Sequence, residues 1–325
     1  MTKPGPLLGV LMVISSTALF AVNGTVSKLV MRAGVEAPQL TLIRAAGAVT
    51  GLLLLSALLR PGLRRLRITR RELPMLVGYG LAGFFGVPML YFVAISRMPV
   101  GIALLFEFTA PIFIALWARF GQRHPVRSRL WLGLALSLAG LACVAEVWGD
   151  LKLDGLGILA ALASAVLLAV YYVLGAQGVR NRDTLSLTTW AFGVSAVAGL
   201  LLRALTHGTA GWDVLTAPTD AGVPVVVLCL YVVVGGSIAP YLLVAAALRH
   251  LPATSVGILG MIEPVIATAV AWLALSETLN LPQLAGGALV LAGVALAETA
   301  RVRSAAAPPP AAGPTLAPPA GIAPR

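Results

Sequence analysis

The chain has 325 residues, of which 59% are hydrophobic and 11% charged, with a mean hydropathy of +0.94. A soluble domain carries about 25% charged residues, so this chain lacks the polar surface to meet water on every side, which excludes the soluble globular class. Its net charge of +11 and pI near 10.6 do not signal nucleic acid, because the basic residues fall in short segments between apolar spans, as membrane topology requires.

Apolar segments of about 20 residues, long enough to cross hydrocarbon, recur along the chain. They predict an all-α polytopic membrane protein with spans at 7–31, 38–59, 73–96, 99–120, 130–148, 155–177, 185–205, 222–248, 253–275 and 283–300. Lys3 precedes the first of these as in a signal peptide, but the apolar stretch runs to Met31 with no small-residue cleavage site. It reads as a retained first helix. The longest connection, 206–221, is rich in Gly, Thr, Asp and Pro, with Trp212 placed as an interfacial anchor. Residues 304–325 are almost entirely Ala, Pro and Gly; such a tail cannot bury a core and is expected to be disordered.

Alternate connections differ in basic content. One side collects fifteen Lys and Arg residues, among them Arg64, Arg65, Arg67, Arg70 and Arg71. The other collects four: Arg32, Arg97, Lys152 and Arg203. The imbalance predicts both termini in the cytoplasm. A shift of 153 residues superimposes Arg97, Pro99, Pro111, Gly133 and Gly140 on His250, Pro252, Pro264, Gly286 and Gly293. Earlier in each half, Gly9 and Ser16 match Gly157 and Ser164 at different offsets. The chain therefore divides into a first five-helix repeat at 1–150, a second at 151–303, and the tail at 304–325. Five is odd, so the copies enter the membrane from opposite sides, the arrangement of inverted-repeat transporters.

Spans three and eight are interrupted at corresponding places, by Gly83, Gly86 and Pro88 in one and Gly235, Gly236 and Pro240 in the other. Such interruptions free backbone groups that need a cavity or a protein partner; paired interruptions point to a binding site, while close packing through small residues is equally compatible. Pro111 and Pro264 break spans four and nine. Gly133, Gly140, Gly286 and Gly293 lie seven apart on one face and are assigned to packing.

Two carboxylates lie inside the apolar spans. Glu107 is about 12 Å and Arg44 about 9 Å from the outer boundary at 1.5 Å per residue, depths that allow an ion pair. That pair would serve as a structural link between helices or as a gate or carboxylate clamp. Glu263 lies about 15 Å from the cytoplasmic boundary, near the midplane. The counterpart of Arg44 in the second copy falls around Trp190–Phe192 and supplies no cation, so Glu263 is a candidate for proton coupling or, alternatively, a neutral carboxyl bonded to freed backbone. Lys28 and Arg119 lie near span ends and are expected to snorkel. Asn23, Tyr91, Tyr171, Tyr172, Trp190 and Tyr241 are cavity-lining candidates, although Tyr and Trp also anchor interfaces. Cys143 and Cys229 have no ligand neighbours, and His124, His207 and His250 lie in loops or at helix ends. No metal or cofactor site is expected. Ser237 follows two glycines, but no span carries a His to activate it, which argues against an intramembrane enzyme.

The run Leu251-Pro-Ala-Thr-Ser-Val-Gly-Ile-Leu-Gly-Met-Ile-Glu-Pro264, with Leu275-Ser-Glu-Thr-Leu279 and Gln283-Leu-Ala-Gly-Gly287, resembles the EamA family of the drug/metabolite transporter superfamily. The resemblance covers about 7–300 and is strongest over 91–140 and 240–297. It implies ten helices in two inverted repeats and export of amino acids and related metabolites. The segment Leu105-Phe-Glu-Phe-Thr-Ala-Pro111 is similar to the branch that contains threonine/homoserine exporters. One departure concerns the end of span four, where the family often has a Glu matching Glu277; here the register places His124. Glu277 is accordingly assigned an end-capping role. The expected function is a secondary transporter of the inner membrane that moves small polar metabolites outward by alternating access, with proton coupling as one option. An uptake permease or facilitator is the alternative. The expected partners are a small-molecule substrate, the lipid bilayer and protons, with no nucleic acid.

Overall fold

The computed structural model of the protein describes residues 5–59, 62–123, 125–148, 154–205, 211–216, 218–219, 222–267, 269 and 280–305. Glu277, His124, His207, the far end of the ninth span and the tail beyond 305 lie outside the described residues.

The first two helices are α1 (Pro6–Arg32) and α2 (Ala37–Leu58). Each has Pro in its first turn, where the missing N–H is no loss. Gly34, at φ +107°, ends the first of them, a conformation that glycine adopts without a Cβ penalty. The third apolar segment is a composite: α3 (Leu73–Tyr79), a π-helical stretch at Gly80–Gly86, and α4 (Val87–Arg97). The fourth comprises α5 (Val100–Glu107) and α6 (Ala110–Leu116), separated by a turn at Phe108–Thr109. Then come α7 (Ser128–Val144), α8 (Gly155–Asn181) and α9 (Thr184–Leu205).

The eighth segment repeats the construction of the third, with α10 (Val225–Val233), a π-helical stretch at Val234–Ile238 and α11 (Ala239–Ala247). The ninth repeats the fourth, with α12 (Ala253–Gly260), a turn at Met261–Ile262 and α13 from Glu263, described to residue 267. The last is α14 (Leu281–Ala305). Among the described residues, eight helices or composite helices are long and apolar enough to cross a membrane, and Ser128–Val144 and Ala253–Ala267 are shorter apolar helices.

Helices of the two halves pack pairwise and antiparallel. Gly133 of α7 meets Gly293 and Ala297 of α14, while Gly140 meets Gly286 and Val290. Without a hydrophobic drive between helices in lipid, this close backbone approach supplies the packing energy. The sequence assignment of these glycines to packing agrees with that contact. In the same sense Leu42 of α2 meets Gly199 of α9, and Val49 meets Gly193. The first helix of each half crosses to the broken helix of the other. Ser16 Oγ in α1 donates to the Pro240 carbonyl oxygen (3.1 Å), and Ser164 Oγ in α8 donates to that of Val87 (3.2 Å). Each serine thus satisfies a backbone group at an interruption. Leu7, Leu11, Leu54, Leu58, Leu159, Leu200, Leu201 and Leu230 point outward, an apolar girdle suited to lipid.

At the arginine-rich end the halves are tied together. Arg182 is buried; its Nη1 lies 2.8 Å from Glu72 Oε1, and its Nη2 donates to the carbonyl oxygens of Arg67 (2.8 Å) and Arg65 (3.2 Å). Ser186 Oγ accepts from Arg182 Nη2 (2.9 Å) and donates to the Arg65 carbonyl (2.9 Å). At the opposite end, Arg97 pairs with Asp154 at 3.4 Å, and Asp154 caps α8 by accepting from the Gly157 N–H.

Candidate functional site

The interrupted helices wall a cavity lined by residues of both halves. It is lined by residues of α1, α2, α4, α5, α8, α11 and the breaks, including Asn23, Arg44, Pro88, Tyr91, Glu107, Tyr171, Tyr172, Gly236, Tyr241 and Glu263. Its volume is about 90 Å³, room for several waters or one small solute where a single water needs on the order of 10–15 Å³.

Arg44 is held in this wall by the two π-helical breaks. Its Nε donates to Ser237 Oγ (3.0 Å), which itself donates to the Val232 carbonyl oxygen (2.7 Å). Its Nη1 donates to the Phe84 carbonyl oxygen (3.2 Å). The guanidinium carbon lies 5.2 Å from the centroid of Tyr241 and 5.6 Å from that of Phe192, within cation–π range. Phe84 is the centre of an aromatic cluster, 4.5 Å from Tyr241, 4.7 Å from Phe192, 5.1 Å from Tyr79 and 5.7 Å from Tyr171. These packed rings fix the guanidinium in place.

The expected pair between Arg44 and Glu107 is corrected by this geometry. Arg44 donates to Ser237, Phe84 and the Tyr241 hydroxyl, and no ion pair joins it to Glu107. Similar depth was a sound inference, but the rotation of α2 turns Arg44 toward α9 and the breaks. Glu107, the last residue of α5, is buried against the Ser164 hydroxyl, and its Oε2 has no hydrogen-bond partner among the described residues. Glu263 opens α13 and faces the same cavity, with Glu107 in electrostatic reach. Tyr91 and Tyr172 lie near both carboxyls.

The other sequence candidates divide. Asn23 faces the cavity against Gly236, and its Oδ1 is buried without a partner. Tyr171 stacks on Tyr79 at 5.2 Å, and the Tyr241 hydroxyl donates to the Gly83 carbonyl oxygen at 3.2 Å. Pro88 and Pro240 sit in the first turns of the helices that follow the two π stretches. Pro111 opens α6 beside Gly257 of α12, and Pro264 follows Glu263 in α13. Trp190 is not at the cavity: its Nε1 donates to the Leu66 carbonyl oxygen (2.9 Å) at the arginine-rich end, where an indole anchors a loop. The sequence reading missed Phe84, Phe192 and Ser237. The run Gly83-Phe84-Phe85-Gly86, an aromatic pair inside a helix interruption, was the available signal.

The protein is a multi-pass protein of the inner membrane, a helical bundle with a charged, aromatic-walled cavity between interrupted helices. The chain belongs to the EamA-like transporter family, whose sequence profile matches residues 7–145 and again 155–299. It is 30% identical over 272 residues to the "Threonine/homoserine exporter RhtA" of Escherichia coli (strain K12), covering 83% of this chain and 85% of that protein. It is also 26% identical over 268 residues to the "Uncharacterized transporter YdfC" of Bacillus subtilis (strain 168), covering 81% and 83% respectively. A crystal structure of another protein superposes with a TM-score of 0.69 at 21% identity, over 91% of this chain and 98% of its own. That likeness shows the fold.

Proposed function

We propose that the chain is a secondary exporter of small polar metabolites, amino acids or related compounds, working by alternating access. In this proposal ten spans form two inverted five-helix repeats with both termini in the cytoplasm. Antiparallel packing of corresponding helices, α2 with α9 and α7 with α14, supports that arrangement. The observation that carries the function is the cavity, where Arg44, Glu107 and Glu263 line one volume between the halves. Isolated charges in hydrocarbon are costly and mark solute or ion pathways. The exporter direction and the amino-acid class draw on the 30% identity to a threonine/homoserine exporter. Glu263, with Glu107 beside it, is assigned the exchange of protons with a gradient.

The test is counterflow in proteoliposomes with a panel of small amino acids that includes L-threonine, L-homoserine and L-serine, with and without a pH gradient. The expected result is exchange of a subset of the panel, accelerated by the gradient in the direction of export. Glu263→Gln should lose the effect of the gradient; proton-driven accumulation in that variant would refute the coupling role. Glu107→Gln should slow exchange. Absence of exchange for every solute would refute transport.

A further inference from the structure

We propose that Arg44 is the carboxylate anchor of a two-point site, and that Glu107, Glu263 and Asn23 receive the ammonium end of a small zwitterion. The inference rests on the transport function proposed above and specifies how its solute is held.

Arg44 is 2% exposed and has no carboxylate within ion-pair distance among the described residues. An uncompensated buried cation is costly, and here the surrounding fold goes further and fixes its orientation. The guanidinium has five N–H donors in a planar fork. One, on Nε, is held by Ser237 and one, on Nη1, by the Phe84 carbonyl. Aromatic rings lie beside it at 5.2 and 5.6 Å. A third, on the Nη side, goes to the Tyr241 hydroxyl, which leaves two Nη hydrogens for the two oxygens of a carboxylate. A lysine would offer only a point charge on a flexible stem.

Glu107, Glu263 and Asn23, elsewhere in the cavity wall, have the opposite need. Among the described residues, Glu107 Oε2 and Asn23 Oδ1 are buried acceptors without a partner, and Glu263 lines the same volume. Buried acceptors left unpaired cost free energy that an incoming donor recovers. An ammonium group supplies three N–H donors and the matching charge. A plain cation would leave Arg44 unmatched, and a plain anion would leave the acceptors unmatched. A solute that bears both groups satisfies both sets.

The test is ligand-dependent thermal stabilisation of the full chain in detergent, with four probes that dissect one molecule: L-serine, L-serine methyl ester, ethanolamine and 3-hydroxypropanoate. L-serine should bind tightest, and each of the other three at least about tenfold more weakly, the loss of one charge-assisted hydrogen bond. Arg44→Lys should lower the preference for L-serine over ethanolamine about tenfold. If that variant does not fold, the comparison of the four probes on the unaltered protein decides. An ester that binds as well as the acid overturns the anchor. Counterflow of some solute by a protein that binds none of the four also overturns this inference and leaves the transport function standing. Counterflow of nothing refutes transport itself.

Discussion

Replacing Arg182 by Ala should detach the loop at 65–72 from the turn between α8 and α9 and so weaken the tie between the halves. The side chain is 9% exposed and contacts Glu72, two backbone carbonyls and Ser186. Removing one partner of a fully buried ion pair costs about 3–5 kcal/mol. Glu72, however, is 26% exposed and keeps its bonds from Thr69, so the charge pair itself contributes about 1 kcal/mol. Loss of the donor to the two carbonyls adds about 1 kcal/mol each. The expected total is about 3 kcal/mol, and at a few degrees per kcal/mol this lowers the melting temperature by roughly 5–10 °C. Thermal unfolding of the detergent-purified full chain reads it. Glu72→Gln should cost only the ion-pair part, roughly 2–4 °C. A loss in Glu72→Gln as large as that in Arg182→Ala would refute the assignment of most of the stabilisation to the backbone carbonyls.

The same cluster predicts a pH dependence. Bonds from the Thr69 N–H and hydroxyl, then the Arg182 guanidinium, hold the Glu72 carboxyl below the usual carboxylate range. A depressed folded-state value means stability that is present above the ordinary value and is lost as pH falls through the folded one. The difference in melting temperature between the unaltered chain and Glu72→Gln should therefore be constant near neutrality and shrink below about pH 4; a difference that grows on acidification would contradict it. A Cβ at Gly133 would lie 2.6 Å from the Gly293 carbonyl oxygen and 2.7 Å from the Ala297 nitrogen, both backbone. Gly133→Ala should destabilise by about 1–3 kcal/mol, whereas Gly193→Ala, whose Cβ would meet only Val49 at 3.8 Å, should melt like the parent. Gly236→Ala would collide with the Asn23 carboxamide, the movable end of a side chain, so folding should survive and counterflow fall; unchanged flux would show that Asn23 is dispensable.

Helix placement was legible because hydrocarbon thickness fixes segment length: α9 begins at Thr184 where the sequence suggested 185, and α8 at Gly155 as expected. The interruptions were legible too, since glycine and proline act on the local hydrogen-bond ladder. Partners were not. Depth follows from residue count, but the direction a side chain takes around its helix axis depends on packing. Arg44 and Glu107 therefore matched in depth while Arg44 faces Ser237 and the rings. Trp190 has the composition of a cavity residue, yet it lies one turn and a half into α9 and reaches back to Leu66. Arg182 counted toward topology alone, because its bond to Glu72 spans 110 residues of chain and nothing local announces it.

The two glutamates show where the duplication was broken. Under the shift of 153, the turn at Phe108–Thr109 corresponds to the turn at Met261–Ile262, but Glu107 corresponds to Gly260 and Glu263 to Ala110. One carboxyl therefore ends the half-helix before its turn, and the other opens the half-helix after its turn. In repeats that are inverted, as proposed, before the turn in one copy and after it in the other are the same side of the membrane. Strict symmetry would have placed the two carboxyls on opposite sides of the midplane. The displacement brings them to one cavity, with Glu107 in electrostatic reach of Glu263. A solute anchored at Arg44, as proposed, would then meet both carboxyls together, instead of one in each half of a transport cycle.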